Sequence, residues 1–374
     1  MNTAIQIDTQ RHDRQRDAFM EQLVDAVNGF FKVYSLYLGN RLGLYRALAG
    51  QQALTSSELA ARTGSAERYV REWLEQQAVA GILEVVDEKA PALERRYCLP
   101  SGIAEVLLDR ESVNYIAPLS QAVVGVARPL EALETAFRTG GGIPFADYGE
   151  DVRHGVSELN RPLFLRQLAR EYLPAIADIH RRLSADPPAR VADIGCGTGW
   201  SSIGMAQAYP KIRVDGFDLD EASIADARAN ARQAGLNGRL RFETCDAGDP
   251  ALTGRYDLVT AFECIHDMSD PVAALATMRR LAGPTGSVLV MDERTNERFT
   301  TDQNPIEQLL YGFSVMGCLP AGLAEEPSAA TGTVMRPHTL RQYARKAGFC
   351  GIEILPIDNV FFRFYRLKTD CDIQ

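Results

Sequence analysis

Arg190-Val-Ala-Asp193-Ile-Gly195-Cys196-Gly197-Thr-Gly199-Trp200-Ser201-Ser202 is the most informative segment of the chain. An apolar run passes into a glycine-rich turn and then into a helix-forming segment. Glycines at such a junction let the backbone approach a ligand closely and take positive φ angles. The dinucleotide fingerprint G-x-G-x-x-G does not fit. Read from Gly195 its last position is Trp200, and read from Gly197 it is Ser202. The pattern is D-x-G-x-G-x-G, with the Asp193 carboxylate at the strand end and no glycine shaped for a pyrophosphate. A ligand with a cationic amino-acid end suits that change better than a diphosphate.

Downstream, strands are predicted at Arg190–Ile194, Arg213–Phe217, Leu240–Thr244, Tyr256–Phe262 and Ser287–Met291. Helices fit between them at Ser201–Tyr209, Glu221–Ala234 and Pro271–Ala282. The last is bounded by Asp270 at the N-cap, Pro271 at the first helical position and Gly283 past its end. Apolar strands alternating with helices predict an α/β fold, a Rossmann-like parallel sheet covered on both faces. The tail adds a helix over Leu340–Ala347 and two strands, Gly351–Pro356 and Val360–Leu367, antiparallel because their spacer is short. Ligands in open α/β sheets lie at the C-terminal strand ends. Asp218 closes the second strand there and is placed to accept both hydroxyls of a ribose, with Asp220 the better helix cap.

The glycine loop resembles motif I of class I S-adenosylmethionine-dependent methyltransferases. The resemblance implies S-adenosyl-L-methionine as cofactor, with Asp193, Gly195, Cys196 and Gly197 in the loop that binds it and Asp218 and Leu219 at the ribose. It also implies an adenine amino group donating to Asp246, with the Ala247 backbone flanking the ring. Phe262, Glu263 and His266, at the exit of the fourth strand, are then expected to face the reacting methyl group. Residues 1–100 read as a winged helix. Thr55-Ser-Ser-Glu58 is a capping box opening a helix at Ser57–Thr63. Ser65 is expected to cap a second helix reaching Val79, and Ile82–Val86 with Tyr97–Leu99 read as a hairpin. A winged helix ahead of such a sheet is similar to the bacterial winged-helix class I methyltransferases, many of them small-molecule enzymes of secondary metabolism. Arg41-Leu-Gly-Leu-Tyr45, Glu72-Trp-Leu-Glu75, Cys264-Ile-His-Asp-Met268 and Phe361-Phe-Arg-Phe-Tyr365 carry that resemblance.

The wider composition agrees. The chain has 374 residues, 46% hydrophobic and 24% charged, which is globular and long enough for more than one core. Its 40 basic against 49 acidic side chains, a formal charge of −9, argue against a nucleic-acid partner. The second winged-helix helix mixes Arg68 and Arg71 with Glu67, Glu72 and Glu75, unlike a helix built to meet phosphate. Seven scattered cysteines without a CxxC pair suit a reducing cytoplasm. No stretch suits a bilayer or a signal peptide, so no membrane partner is expected. Residues 1–16 read as a frayed tail. The apolar helical stretch Phe19–Ala49, broken near Gly39–Asn40 or Gly43, is richer in large side chains than a small domain can bury, which predicts a homodimer through the N-terminal domain.

Residues 101–180 are expected to form a helical linker and active-site cover, with a glycine hinge at 140–142, and 181–374 the cofactor-binding domain. An insertion at 296–335, with Tyr311, Phe313, Met316 and Leu319, is expected to wall the pocket of a small-molecule acceptor. His266 is the candidate general base, with Asp267 either orienting it or starting a turn. A bound metal is not expected, since the second histidine that some C-methyltransferases resembling this group use would fall near Gly317, where none stands, and only Cys318 or His338 could substitute for it. Arg336 reads either as a partner for an acidic substrate or as half of an ordinary ion pair. Oxygen, nitrogen and carbon acceptors all remain open. Two other functions compete: a protein that binds S-adenosylmethionine for other chemistry or sensing, and a DNA-binding regulator.

Overall fold

The computed structural model describes residues 2–50 and 52–369, with the backbone alone for 2–9. Two compact units result, residues 1–124 and 125–374.

The first unit opens with helix α1 (Asn2–Arg41), which turns at Gly43 (φ +70°) into α2 (Leu44–Leu48). The expected frayed tail is instead the first part of α1. No glycine or proline interrupts the sequence before Gly29, and Asp13 and Arg16 pair one turn apart at 3.0 Å. Helix α3 (Ser56–Thr63) carries both bonds of the Thr55–Glu58 capping box. Helix α4 (Glu67–Val79) starts from Ala66 without a side-chain cap. Ser65 is not that cap, and its hydroxyl bonds to Thr63 Oγ1 at 3.1 Å. Strands β1 (Glu84–Val85) and β2 (Tyr97–Cys98) form the antiparallel wing, shorter than expected, and α5 (Ser101–Leu108) follows. Leu44, Tyr45, Leu59, Trp73, Leu74 and Tyr97 fill this core.

Trp73 Nε1 donates to the Ser35 carbonyl at 2.9 Å, drawing α1 onto α4. Gly39 sits at that crossing, and a Cβ there would lie 2.5 Å from both the Trp73 and Tyr45 rings. Gly39→Val is expected to lower stability by about 2 kcal/mol, the usual scale of overpacking, measured as a fall in denaturant midpoint.

Helix α6 (Pro118–Val126) straddles the boundary, and α7 (Leu130–Thr139) and α8 (Glu150–Pro162) lie in the second unit. The chain continues without a break through a π-helical stretch, Leu163–Tyr172, into α9 (Leu173–Ala175) and α10 (Ala177–Ser184). Then come β3 (Arg190–Ile194), α11 (Trp200–Ala208), β4 (Arg213–Asp218), α12 (Glu221–Gln233), β5 (Leu240–Thr244), β6 (Leu258–Phe262), α13 (Pro271–Ala282) and β7 (Ser287–Glu293). The insertion forms α14 (Pro305–Phe313), a π-helical turn at Ser314–Cys318 and α15 (Leu319–Gly322). Helix α16 (Pro337–Lys346) and strands β8 (Gly351–Ile354) and β9 (Phe362–Lys368) complete the chain.

The sheet order is β5-β4-β3-β6-β7-β9-β8. The first five strands are parallel, and β9 runs antiparallel to both β7 and β8. Strand alternation divides the core between two faces. Val191, Val214, Leu258 and Leu289 pack on one, and Ala192, Val259, Val288 and Val290 on the other. The chain works outward from β3 to β5, then returns to place β6 on the other side of β3. That reversal opens a crevice at the C-terminal ends of β3 and β6.

The triple-glycine segment is packed down at its last residue, while Gly140 and Gly141 stay exposed. A Cβ on Gly142 would meet the backbone of Leu323 and Ala324 at 2.1–2.5 Å, and Ile143 donates to the Pro320 carbonyl at 2.9 Å. Tyr148 anchors the same contact, donating to the Met316 carbonyl at 3.0 Å. Cys98, Cys196, Cys245, Cys264 and Cys318 are free thiols, while Cys350 is disulfide-bonded, a departure from the expected set of thiols. Among the described residues no helix is long and apolar enough to cross a membrane.

Candidate active site

The glycine loop stands at the crevice. Gly195 has φ +63°, and a Cβ there would collide with Cys264 Sγ at 2.6 Å, so only glycine lets the β6 exit close against the turn. Gly197 has φ +50° and open space where a Cβ would stand. Its N–H donates to Asp218 Oδ2 at 2.7 Å, and Asp220 N–H donates to Oδ1 at 2.9 Å. The Asp218 carboxylate is thus fixed at the lip of the loop by two backbone donors. Burial raises its pKa, and those two donors offset part of the rise. Asp220 caps α12 through Ser223 N–H at 2.9 Å, as its position predicts. Leu219 beside it is 58% exposed, an apolar side chain left uncovered at the crevice edge. Asp246 is exposed and accepts from Gly248 N–H at 2.8 Å, with Ala247 partly buried in the same turn.

Three expected site residues are turned inward. Asp193 is 1% exposed and accepts from Ser201 Oγ and Ser202 Oγ at 2.6 Å each and from Thr260 Oγ1 at 2.8 Å. It ties β3 to the start of α11 and to β6. Burial raises its pKa, and the three hydroxyls oppose that rise. The Cys196 side chain is buried in the core beneath the loop. Phe262 is also core, its ring 6.0 Å from that of Phe164. All five β6 side chains are buried, so the strand presents only its exit residues to the crevice.

That exit carries the titratable groups. His266 is 2% exposed, with Nδ1 2.9 Å from Asp292 Oδ1 and 3.0 Å from Glu293 Oε2. Its Nε2 lies 3.2 Å from Asp267 Oδ1, whose side chain is 41% exposed. Burial alone lowers the His266 pKa, but Asp267, Glu293 and Asp292 outweigh it and raise the value well above 6.5. Burial likewise opposes ionisation of Asp292, yet His266 holds that carboxyl below its ordinary value. Glu293, buried beside Asp292, is raised. Glu263 has φ +53°, takes a hydrogen bond from the Asn160 amide, and is pushed up to about 8, chiefly by burial.

Sequence reasoning missed Asp292 and Glu293, although an Asp-Glu pair closing the fifth parallel strand was a legible signal of two carboxylates at the ligand edge. Asp292, not Asp267, lies on Nδ1. Cys318 is brought to the same place from the insertion. The ligand atoms of His266, Asp267 and Cys318 lie within 4.8 Å of one another, as do those of His266, Asp292 and Glu293, so either trio could offer three ligands to a cation. The Cys318 thiol is pushed up to about 12 by burial and by Asp267. Arg336 takes the ion-pair alternative. It is buried, 3.0 Å from Glu307, and donates to the Asn296 carbonyl at 2.6 Å and to Tyr311 Oη at 3.2 Å. Phe313 and Met316 pack on Val126, Ile143, Tyr148 and Val152.

Residues 185–334 match a family described as a methyltransferase domain. The chain is a methyltransferase. Residues 33–109 match the Rv2258c-like winged helix-turn-helix domain, so this methyltransferase carries that domain ahead of its sheet. The ubiquinone biosynthesis O-methyltransferase of Pseudomonas aeruginosa (strain UCBPP-PA14) is 29% identical over 192 residues, covering 50% of this chain and 75% of that one. The mitomycin 7-O-methyltransferase MmcR has a similar fold, with a TM-score of 0.69 at 18% identity over 94% of this chain and 98% of the other. Human N-acetylserotonin methyltransferase, solved in complex with S-adenosylmethionine, gives a TM-score of 0.68 at 17% identity over 94% and 97%.

Proposed function

We propose that this methyltransferase transfers a methyl group from S-adenosylmethionine to a hydroxyl oxygen of a small acceptor in secondary metabolism, with His266 as general base. The observation that carries the donor assignment is the Gly197–Asp218 cradle, open space above a positive-φ glycine with a fixed carboxylate beside it. Gly195 and Gly197 would admit the donor's amino-acid end, Asp218 its ribose hydroxyls, and Leu219, Asp246 and Ala247 its adenine. Bound there, S-adenosylmethionine supplies a methyl group on a positively charged sulfur, activated for displacement by a nucleophile. The relatives whose names specify an O-methyltransferase support an oxygen acceptor.

The chain's own part is alignment and proton removal. Asp292 fixes the imidazole through Nδ1, with the Glu293 carboxylate beside it, which leaves Nε2, on the side of the exposed Asp267, to take the acceptor's proton. The exposed Tyr311 and Val315 of the insertion offer apolar surface for the acceptor. Release of S-adenosylhomocysteine in step with methylation of a hydroxylated aromatic panel tests the proposal. Donor binding with no S-adenosylhomocysteine product under any acceptor would favour a sensing or non-transfer role. The paired charges of α4, with Arg71 3.3 Å from Glu67 and Arg95 of the wing 2.8 Å from Glu75, support the absence of a DNA partner, which a gel shift at low salt checks.

The methyltransferase is also proposed to be a homodimer through α1. Leu23, Val24, Val27, Phe30, Phe31, Tyr34 and Leu38 recur at helical spacing and are exposed in the single chain. Val27→Asp combined with Phe30→Asp is expected to halve the sedimenting mass. A wild-type monomer at micromolar concentration would overturn the dimer.

A further inference from the structure

Helix α8 grips the crevice at three places. Arg153 Nε lies 3.2 Å from Asp226 on α12. Ser157 Oγ is 2.5 Å from Thr198 Oγ1 and accepts from Trp200 Nε1 at 3.1 Å, which pins the glycine loop. Asn160, one turn on and therefore on the same face, donates its amide to Glu263 Oε2. The last contact lands on an unusual residue. Glu263 is held at φ +53°, where a non-glycine residue costs about 1–3 kcal/mol and persists only if its surroundings over-determine it. Here the surroundings are a backbone bond to the Met291 carbonyl at 2.8 Å and the Asn160 amide.

We propose that Asn160 is a positioning residue for the amino-acid end of the methyl donor, aiming the Glu263 carboxylate at the donor's α-ammonium group. The proposal rests on the S-adenosylmethionine reading above. Cys264, the next residue, closes directly on Gly195, so Glu263 stands beside the turn where that end of the donor lies. Among the described residues, the one side-chain hydrogen bond to this carboxylate comes from a neutral amide, which orients it without neutralising it. An arriving ammonium adds its charge to that of the nearby His266, which already favours the ionised carboxylate. Burial, which pushes Glu263 up to about 8, then works in favour of the pair, because a cation in a poorly solvated place restores the ionised form. Ser157 fixes the opposite wall, so one helical face sets the width of the pocket.

The experiment compares two ligands by calorimetry. S-Adenosylhomocysteine has the amino-acid end, and 5′-methylthioadenosine keeps adenine, ribose and sulfur but lacks it. Asn160→Ala is expected to weaken S-adenosylhomocysteine about 10-fold and 5′-methylthioadenosine less than about 2-fold, and Glu263→Gln to do the same at least as strongly. The double variant should be little weaker than Glu263→Gln alone, since Asn160 acts through that carboxylate. Asn160→Ser gives the same comparison if the alanine variant melts early. Unchanged S-adenosylhomocysteine affinity, or an equal loss for both ligands, overturns the proposal. A wild-type protein that binds neither ligand removes the donor reading itself, which separates the two failures.

Discussion

Asp218→Ala is expected to weaken S-adenosylhomocysteine binding about 100-fold or more, the scale of losing two hydrogen bonds to a charged acceptor. The same carboxylate is one partner of the Gly197 and Asp220 N–H groups, so its removal also loosens the loop that forms the cradle. Asp218→Asn keeps the shape and one acceptor oxygen, and should fall between wild type and alanine. The fold should survive, because the hydrophobic core of β4 is built from Val214 and Phe217, on opposite faces of the sheet. Calorimetry with a thermal melt as control checks both halves. Unchanged affinity in a folded Asp218→Ala protein would falsify the ribose assignment.

His266→Ala is expected to lower kcat by about 100- to 10,000-fold, the range for losing a positioned acid or base, with little change in donor affinity. The pH profile gives the sharper test. A histidine acting as general base must be neutral, whereas the surrounding carboxylates raise the His266 pKa well above 6.5 and favour the protonated ring. Turnover should therefore still be rising above pH 7, where an unperturbed histidine would have levelled off. Asp292→Asn removes one of the groups that raise the value and should move the ascending limb toward lower pH, at the cost of a less firmly oriented ring. A flat profile together with normal turnover in His266→Ala would show that alignment suffices and that the histidine only holds the β6 exit in place.

Much of this protein is written locally. The parallel strands, the helix that starts at Asp270-Pro271 and ends at Gly283, and the Thr55–Glu58 capping box follow from alternation, caps and turn residues, all short-range. The geometry of the proposed donor cradle is equally legible, because Gly195, Gly197 and Asp218 meet through backbone geometry at the ends of two neighbouring strands. Asp193 shows the limit of that reading. Its place at the end of β3 is plain from sequence, but its three hydroxyl partners come from α11 and β6, and only the folded chain shows that its carboxylate is used up in the core. The same holds for Phe262, whose inward face is set by Phe164 nearly a hundred residues earlier.

Local residue patterns suffice for the order of strands and helices, the glycine turn and the acid that closes the neighbouring strand, because each depends on residues within a few positions of one another. The tertiary structure alone decided the electrostatics of the β6 exit. His266 meets Asp292 and Glu293 only because β6 and β7 pair in register, and Cys318 and Asn160 reach the same crevice from an insertion and a helix far along the chain. Charge depends on distance through space, and no spacing along a chain measures that.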